Sequence, residues 1–204
     1  FKLVSDNRPA LEPYFLEMGG HYPSQLPEEA VLALERLTEA VVGAFEHFHT
    51  CFHFEAKVNL ETSEVMPIEM NARVGGFECP ACVEAVSGHF LADIAARLAL
   101  GLSTDPADMA AHPRHAVVAS TNIHVFERGV IAECSDEDID PSATKLVGSV
   151  LTKAKGQLHV PNNGSQSCFG WIACGGKSLE EAEQNLALAV RQTRISVTAE
   201  NGTT

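Results

Sequence analysis

Basic residues are scarce in this chain: its 204 residues carry 14 Lys and Arg against 27 Asp and Glu, a formal charge of −13. A surface this acidic repels phosphate backbones and anionic headgroups, which argues against nucleic acid or an anionic membrane as partner. Long apolar runs are missing too, so no segment reads as a membrane span, and there is no signal-peptide pattern. The six cysteines lack the spacing of a disulfide framework or a zinc site. Cys79-Pro-Ala-Cys82 is the one close pair, while Cys51, Cys134, Cys168 and Cys174 are scattered. Unpaired thiols in that number suit a reducing cytosol and a cytoplasmic location. Internal repeats and low-complexity tracts are absent. What is present is 45% hydrophobic residues, enough for one sizeable core or two small ones.

The chemistry concentrates in two runs, Phe52-His-Phe-Glu-Ala-Lys-Val-Asn59 and Pro67-Ile-Glu-Met-Asn-Ala-Arg-Val-Gly-Gly76. Apolar and polar residues alternate in both, the period of half-buried strands, with Phe52, Phe54, Ala56, Val58 and Leu60 facing one way. A hairpin turning about Thr62 pairs Leu60 with Glu64, Val58 with Met66, Ala56 with Ile68 and Phe54 with Met70, so the apolar faces coincide. The same register sets Glu55 opposite Glu69 and His53 opposite Asn71 on the polar face, with Arg73 just beyond. Pro67 cannot donate to the ladder, which points to an edge position or a bulge and to a slip of one residue.

Carboxylates directly across a strand pair repel unless a cation lies between them or one is protonated. Mg²⁺ takes one or two carboxylates together with water and substrate phosphates, and Glu55, Glu69 and Asn71 offer oxygen ligands in about that number. Arg73, permanently charged and fork-shaped, suits a phosphoryl or carboxylate oxygen. Gly75-Gly76 allows backbone N–H groups to approach an anion closely. The set therefore reads as a metal–nucleotide phosphate site; the plainer alternative is an exposed hairpin with a solvated charged face.

Around this pair of strands the chain reads as scaffold. Leu26 to His47 has helical spacing of Val31, Leu34, Leu37, Val41, Val42 and Phe45, with Pro27, Glu28 and Glu29 suited to its first turn. Cys79 and Cys82 are expected to pack at the start of a helix beside the site rather than to do redox or zinc chemistry, and Phe90 to Leu102 reads as a buried helix stopped near Gly101. A turn-rich stretch at 103–112 and His112-Pro113 mark a boundary. Beyond it, Ala116 to Phe126, Lys145 to Leu151 and Ser167 to Cys174 read as strands, and Ser135 to Asp140 as a solvated acidic loop. Ser178-Leu-Glu-Glu181 has capping-box spacing ahead of a helix with Leu179, Ala182, Leu186, Ala189 and Val190. Gly175-Gly-Lys-Ser178 is a strand-to-helix turn, since Trp171 stands where a phosphate loop needs glycine. The expected division is 1–111, 112–197 and a mobile tail from 198 to 204.

Glu55-x-Lys57 followed by Glu69-x-Asn71-x-Arg73-x-Gly75-Gly76 resembles the metal-binding end of an ATP-grasp ligase, most closely the amino-acid ligase and carnosine synthase branch. The stretch Tyr14-Phe-Leu-Glu-Met-Gly-Gly-His-Tyr-Pro-Ser24 resembles the same branch. The fold this implies is α+β: a carboxyl-terminal ATP-grasp lobe of antiparallel sheet with packed helices, then a strand-rich α+β subdomain. The resemblance implies ATP and Mg²⁺ or Mn²⁺ as cofactors, with Glu55 and Glu69 as ligands and Asn71 assisting. By the same token Arg73 stabilises the transferring phosphoryl group and the acyl phosphate, and Gly75 and Gly76 lie at the substrate. His21, an ordinary loop histidine when read alone beside Gly19-Gly20, would touch the substrate carboxylate or its phosphorylated form.

Similar enzymes activate a small carboxylate, such as an amino acid, with ATP and let an amine displace phosphate. The chain starts at Phe1 and is shorter than such enzymes usually are, so the expectation is a carboxyl-terminal portion that lacks the upstream lobe and does not release ADP alone. A carboxylase subunit, a nucleotide-biosynthesis ligase or a non-catalytic metal- or nucleotide-binding module are the alternatives. Substrate identity and homo-oligomerisation stay open.

Overall fold

The computed structural model of the chain describes residues 1–45, 50–105, 108–109, 111–161 and 165–199. In chain order it has β1 (Asp6–Asn7), β2 (Gly20–Tyr22), α1 (Glu28–Ala44), β3 (His53–Val58), β4 (Val65–Asn71), α2 (Cys79–Ser87) and α3 (Leu91–Ala99). There follow β5 (Val117–His124), β6 (Gly129–Ser135), α4 (Pro141–Thr144), β7 (Leu146–Leu151), β8 (Leu158–His159), β9 (Cys168–Gly176), α5 (Leu179–Gln192) and β10 (Arg194–Thr198). The architecture is α+β, and its contacts divide it into two compact units: 1–6 with 22–114, and 7–21 with 115–204. Segment 7–21, which the sequence division placed with the first lobe, groups with the second unit, where β2 runs beside β5.

In the first unit, β3 and β4 form a two-stranded antiparallel sheet, and α1 packs on both strands. Pro27 caps α1 in an extended conformation, and Glu28 and Glu29 occupy its first turn, where the helix dipole favours acids. Its closest approach is made by small residues, since Ala30 and Ala33 are the buried positions while Leu32 and Phe45 stay exposed. The end of the expected helix, 46–47, lies outside the described residues. Gly88 ends α2 in the left-handed region at φ 76°, and a Cβ there would strike the His112 backbone, so only glycine fits. The expected buried helix over 90–102 is corrected: α3 buries Ile94, while Phe90, Leu100 and Leu102 remain exposed, because a helix packed on one side covers only one stripe.

The second unit holds strands β5, β9 and β7 of a five-stranded sheet in the order β1-β2-β5-β9-β7, with Asn7 of β1 and Gly20–His21 of β2, and a three-stranded sheet β10-β6-β8. β9 pairs antiparallel with β5 on one side and β7 on the other, and all nine of its residues are buried. Helix α5 lies on this sheet and closes a core of Val117, Ala119, Ile172, Cys174, Ala182, Leu186 and Ala189. Fully burying one large aliphatic side chain is worth about 1.5–3 kcal/mol, so this layer holds much of the unit's stability. Ser178 caps α5 by accepting from Glu181 N–H at 3.2 Å, while the Glu181 carboxylate reaches back to Lys177 N–H at 2.8 Å, one residue beyond the usual capping-box partner.

Two expectations are revised in this unit. The acidic run after β6 is not merely solvated: Ile139 enters the core, Asp140 accepts from Ser142 and Ala143 N–H to start α4, and Asp138 pairs with Arg194 at 2.9 Å. The expected tail begins too early, because Thr198 closes β10 opposite Val130; 200–204 lie outside the described residues. The Gly175-Gly176 turn also does the work of a sheet end, with Gly175 N–H bonded to Lys145 O at 2.9 Å and no room for a side chain beside His115.

Candidate metal and phosphate site

The hairpin begins with its turn. Asn59 Oδ1 accepts from Glu61 N–H at 2.9 Å and Thr62 N–H at 3.3 Å, and Asn59 N–H donates to Glu64 O at 2.8 Å, an Asx-type turn that joins the strands. Leu60 therefore stands exposed in the turn instead of pairing with Glu64. From here Val58 pairs with Val65, Lys57 with Met66 and Ala56 with Pro67, one residue off the expected register. A bulge then restores the expected alignment: Glu55 faces Glu69, Phe54 faces Met70 and His53 faces Asn71. Pro67 has no N–H for the ladder, and the extra residue, Ile68, is left without a partner and 54% exposed. The slip also turns Met66 toward the polar side beside Lys57, where it is exposed.

Because side chains two apart on a strand share a face, His53 and Glu55 on β3 and Glu69 and Asn71 on β4 make a two-by-two square. One ring nitrogen of His53 and one carboxylate oxygen each from Glu55 and Glu69 lie within 4.8 Å of one another. Asn71 Nδ2 donates to Glu69 Oε1 at 2.7 Å, which leaves the amide oxygen of Asn71 as its acceptor end. Two carboxylate oxygens and an imidazole nitrogen, with the Asn71 amide oxygen beside them, are a donor set for a divalent cation, and the residues present fit one.

Beyond the square, Arg73 N–H donates to Asn71 O at 2.8 Å, and the guanidinium Nη1 turns to Val74 O at 2.9 Å rather than to the carboxylates. Gly75 is buried, and a Cβ there would lie 2.4 Å from Cys79 Sγ and 3.2 Å from His53 Cδ2, so its absence lets the loop, the thiol and the imidazole pack together. Gly76 is exposed with open space where a side chain would project.

Cys79 opens α2 and Cys82 is buried one turn on; all six cysteines are free thiols. Burial, with the Glu78 carboxylate adding to it, pushes the Cys79 thiol up to about 11, against a hydrogen bond with Tyr22 that pulls it down. Such a thiol is protonated at neutral pH, which agrees with the packing role expected for this pair and not with a nucleophile. The Tyr22 hydroxyl is pushed up as well, first by burial and then by the neighbouring Cys79 and Cys82.

His21 belongs to the second unit. Its Nε2 lies 2.6 Å from Glu183 Oε1 on α5, and the same oxygen takes Arg8 Nη2 at 2.7 Å, while Arg8 Nε holds Ser120 O at 2.9 Å. Sequence reasoning missed this network, since Glu183 is 162 residues from His21 and nothing local announces the pairing. It also did not place His53 among the candidate ligands, although His53 stands two residues from Glu55 on the same face.

No protein-family profile matches the chain. Over 99 residues it is 36% identical to carnosine synthase 1 of Gallus gallus, a stretch covering 48% of this chain and 10% of that protein. Among solved structures, phosphoribosylglycinamide synthetase from Anaerococcus prevotii superposes with a TM-score of 0.82 at 14% identity, over 97% of this chain and 50% of that one. L-amino acid ligase from Bacillus licheniformis gives 0.79 at 19% identity, over 95% and 49%. A biotin carboxylase–beta-gamma-ATP complex from Campylobacter jejuni gives 0.70 at 16%, over 95% and 42%. The chain thus spans a tenth of the curated relative and about half of the first two structures. Among the described residues no helix is long and apolar enough to cross a membrane.

Proposed function

We propose, on the premise that this chain has the fold of the ATP-grasp ligases, that it is the metal-binding part of an ATP-dependent carboxylate–amine ligase. The observation that carries the reading is the square of His53, Glu55, Glu69 and Asn71, in which two carboxylates directly oppose each other on a partly exposed strand pair. Like charges at that position are unfavourable alone and favourable around a cation. Glu55, Glu69 and Asn71 would hold Mg²⁺ or Mn²⁺. When bound, that ion neutralises charge on ATP phosphates during phosphoryl transfer.

In the proposed reaction a substrate carboxylate oxygen forms a bond to the γ-phosphorus as ADP leaves. An amine then forms a bond to the acyl carbon as inorganic phosphate leaves and the amine gives up a proton. Arg73 is assigned to the transferring phosphoryl group, which requires its guanidinium to exchange Val74 O for the phosphoryl oxygens. Gly75 and Gly76 are assigned to the substrate side of the loop, and His21 to the substrate carboxylate, both by resemblance to the amino-acid ligase branch. The likeness to carnosine synthase and to L-amino acid ligase supports an amino acid as the acid; the likeness to phosphoribosylglycinamide synthetase supports a second reading, a nucleotide-biosynthesis ligase.

One assay tests these assignments: ADP release by the complete protein across paired acids and amines. Metal-dependent release with an amino acid and an amine is expected, together with its abolition in Glu69→Ala at unchanged circular dichroism. Unchanged activity in that variant would sink the assignment of the carboxylate. The 204-residue chain by itself is expected to release no ADP, because an upstream lobe is proposed to complete the nucleotide site.

A further inference from the structure

We propose that His53 is a fourth member of the metal site, a nitrogen donor that biases it toward ions of the Mn²⁺, Co²⁺ and Zn²⁺ class over Mg²⁺. This rests on the reading of Glu55 and Glu69 as metal ligands and adds a residue which that reading does not use. Three features of the chain meet at this side chain. His53 precedes Glu55 by two residues on β3, so both point to the same face, and across the ladder it stands opposite Asn71. One of its ring nitrogens falls within 4.8 Å of one oxygen from each carboxylate. Three donor atoms all within 4.8 Å of one another are close enough for small side-chain adjustments to close them on a single ion.

The second feature is the state of the ring. Its Nδ1 is buried and has no hydrogen-bond partner among the described residues. A buried polar atom left unpaired is unfavourable, and coordination through that nitrogen would remove the cost. Gly75 is the third. The Cδ2 edge of the ring lies 3.2 Å from where a Cβ at 75 would sit, so the glycine lets the imidazole pack closely against the loop.

Oxygen-only sites suit Mg²⁺, which keeps its waters and dehydrates reluctantly. An imidazole nitrogen raises affinity for the later first-row ions far more than for Mg²⁺. His53 is therefore a specificity-determining ligand: it decides which ion the two glutamates hold, while they provide the charge.

The test uses the complete protein with Mn²⁺ and ADP, and reads the electron spin-echo modulation of the bound ion. With histidine labelled by ¹⁵N, the expected result is a ¹⁴N coupling replaced by a ¹⁵N coupling, which separates histidine from the adenine nitrogens. In His53→Ala that coupling disappears, and the ratio of Mn²⁺ to Mg²⁺ affinity falls about tenfold or more. Bound Mn²⁺ that is lost in Glu69→Ala but shows no histidine coupling overturns the role of His53 while leaving the glutamate site standing. A coupling that persists in His53→Ala overturns it too. Mn²⁺ binding indifferent to Glu69→Ala overturns the parent reading and this one together. If His53→Ala fails to fold, His53→Gln serves instead: the histidine coupling is expected to vanish there as well, and its persistence overturns the role of His53.

Discussion

In the β3–β4 hairpin two glutamates oppose each other, a histidine nitrogen is buried without a hydrogen bond, and a bulge interrupts the ladder. In the β9–α5 layer all nine strand residues are buried between two paired neighbours, and the helix start is capped from both directions. The first region carries local costs that a cation would relieve; the second has little left to relieve. A strand pair of this kind is marginal alone and leans on α1, whereas a central strand with neighbours on both sides anchors its unit. The difference suggests where each kind of change should be felt: chemistry should fail at the hairpin with the fold intact, and the fold should fail at the layer.

The sharpest way to break that contrast is Glu69→Ala. Its side chain is exposed and bonded to Asn71, so loss of metal-dependent ADP release should come with a change in unfolding free energy within about 0.5 kcal/mol. A large stability loss would mean the square is structural. Ile172→Ala in the layer should do the reverse, costing about 2–5 kcal/mol in denaturant unfolding, because Ile172 is fully buried in the middle of β9. A cost below about 1 kcal/mol would show that the layer is not the anchor.

A third comparison uses pH. The Cys79 thiol titrates at about 11 in the folded chain against an ordinary 9.0, so the folded state holds its proton more tightly than the unfolded one. Its contribution is then fully present below about pH 9 and lost as the pH rises through about 11. Denaturant midpoints should decline over that window, and less so in Cys79→Ala; equal declines would place the titration elsewhere. Smallest is Ser178→Ala, which removes the oxygen that accepts from Glu181 N–H and should cost about 0.5–2 kcal/mol by thermal unfolding.

The square was legible because alternation fixes which residues share a face, and only the alignment of Glu55 with Glu69 also brings Phe54 to Met70. The bulge was half legible. Pro67 announced a fault in the ladder, yet the sequence alone offered no means of telling that the register would slip only on the turn side, leaving Met66 beside Lys57. The strand Cys168–Gly176 and its helix were legible from the apolar run and from Ser178, and the Trp171 objection to a phosphate loop stands with Gly175 N–H already bonded in the sheet. Strands β6 and β10 were not read at all. They pair across 194 to 135, and the acidic loop between β6 and α4 disguised its buried Ile139 among charges.

By itself the sequence determined the polar and apolar faces of the hairpin, the amphipathic helices, the cap at Ser178 and the excess of negative charge, all of which follow from periodicity and side-chain chemistry within a few residues. Only the tertiary structure decided that 7–21 joins the second unit, that Glu183 holds both His21 and Arg8, and that Gly75 makes room for Cys79 beside His53. Those depend on which distant segments meet, and the free energy of such meetings is shared among many weak contacts that no local pattern records.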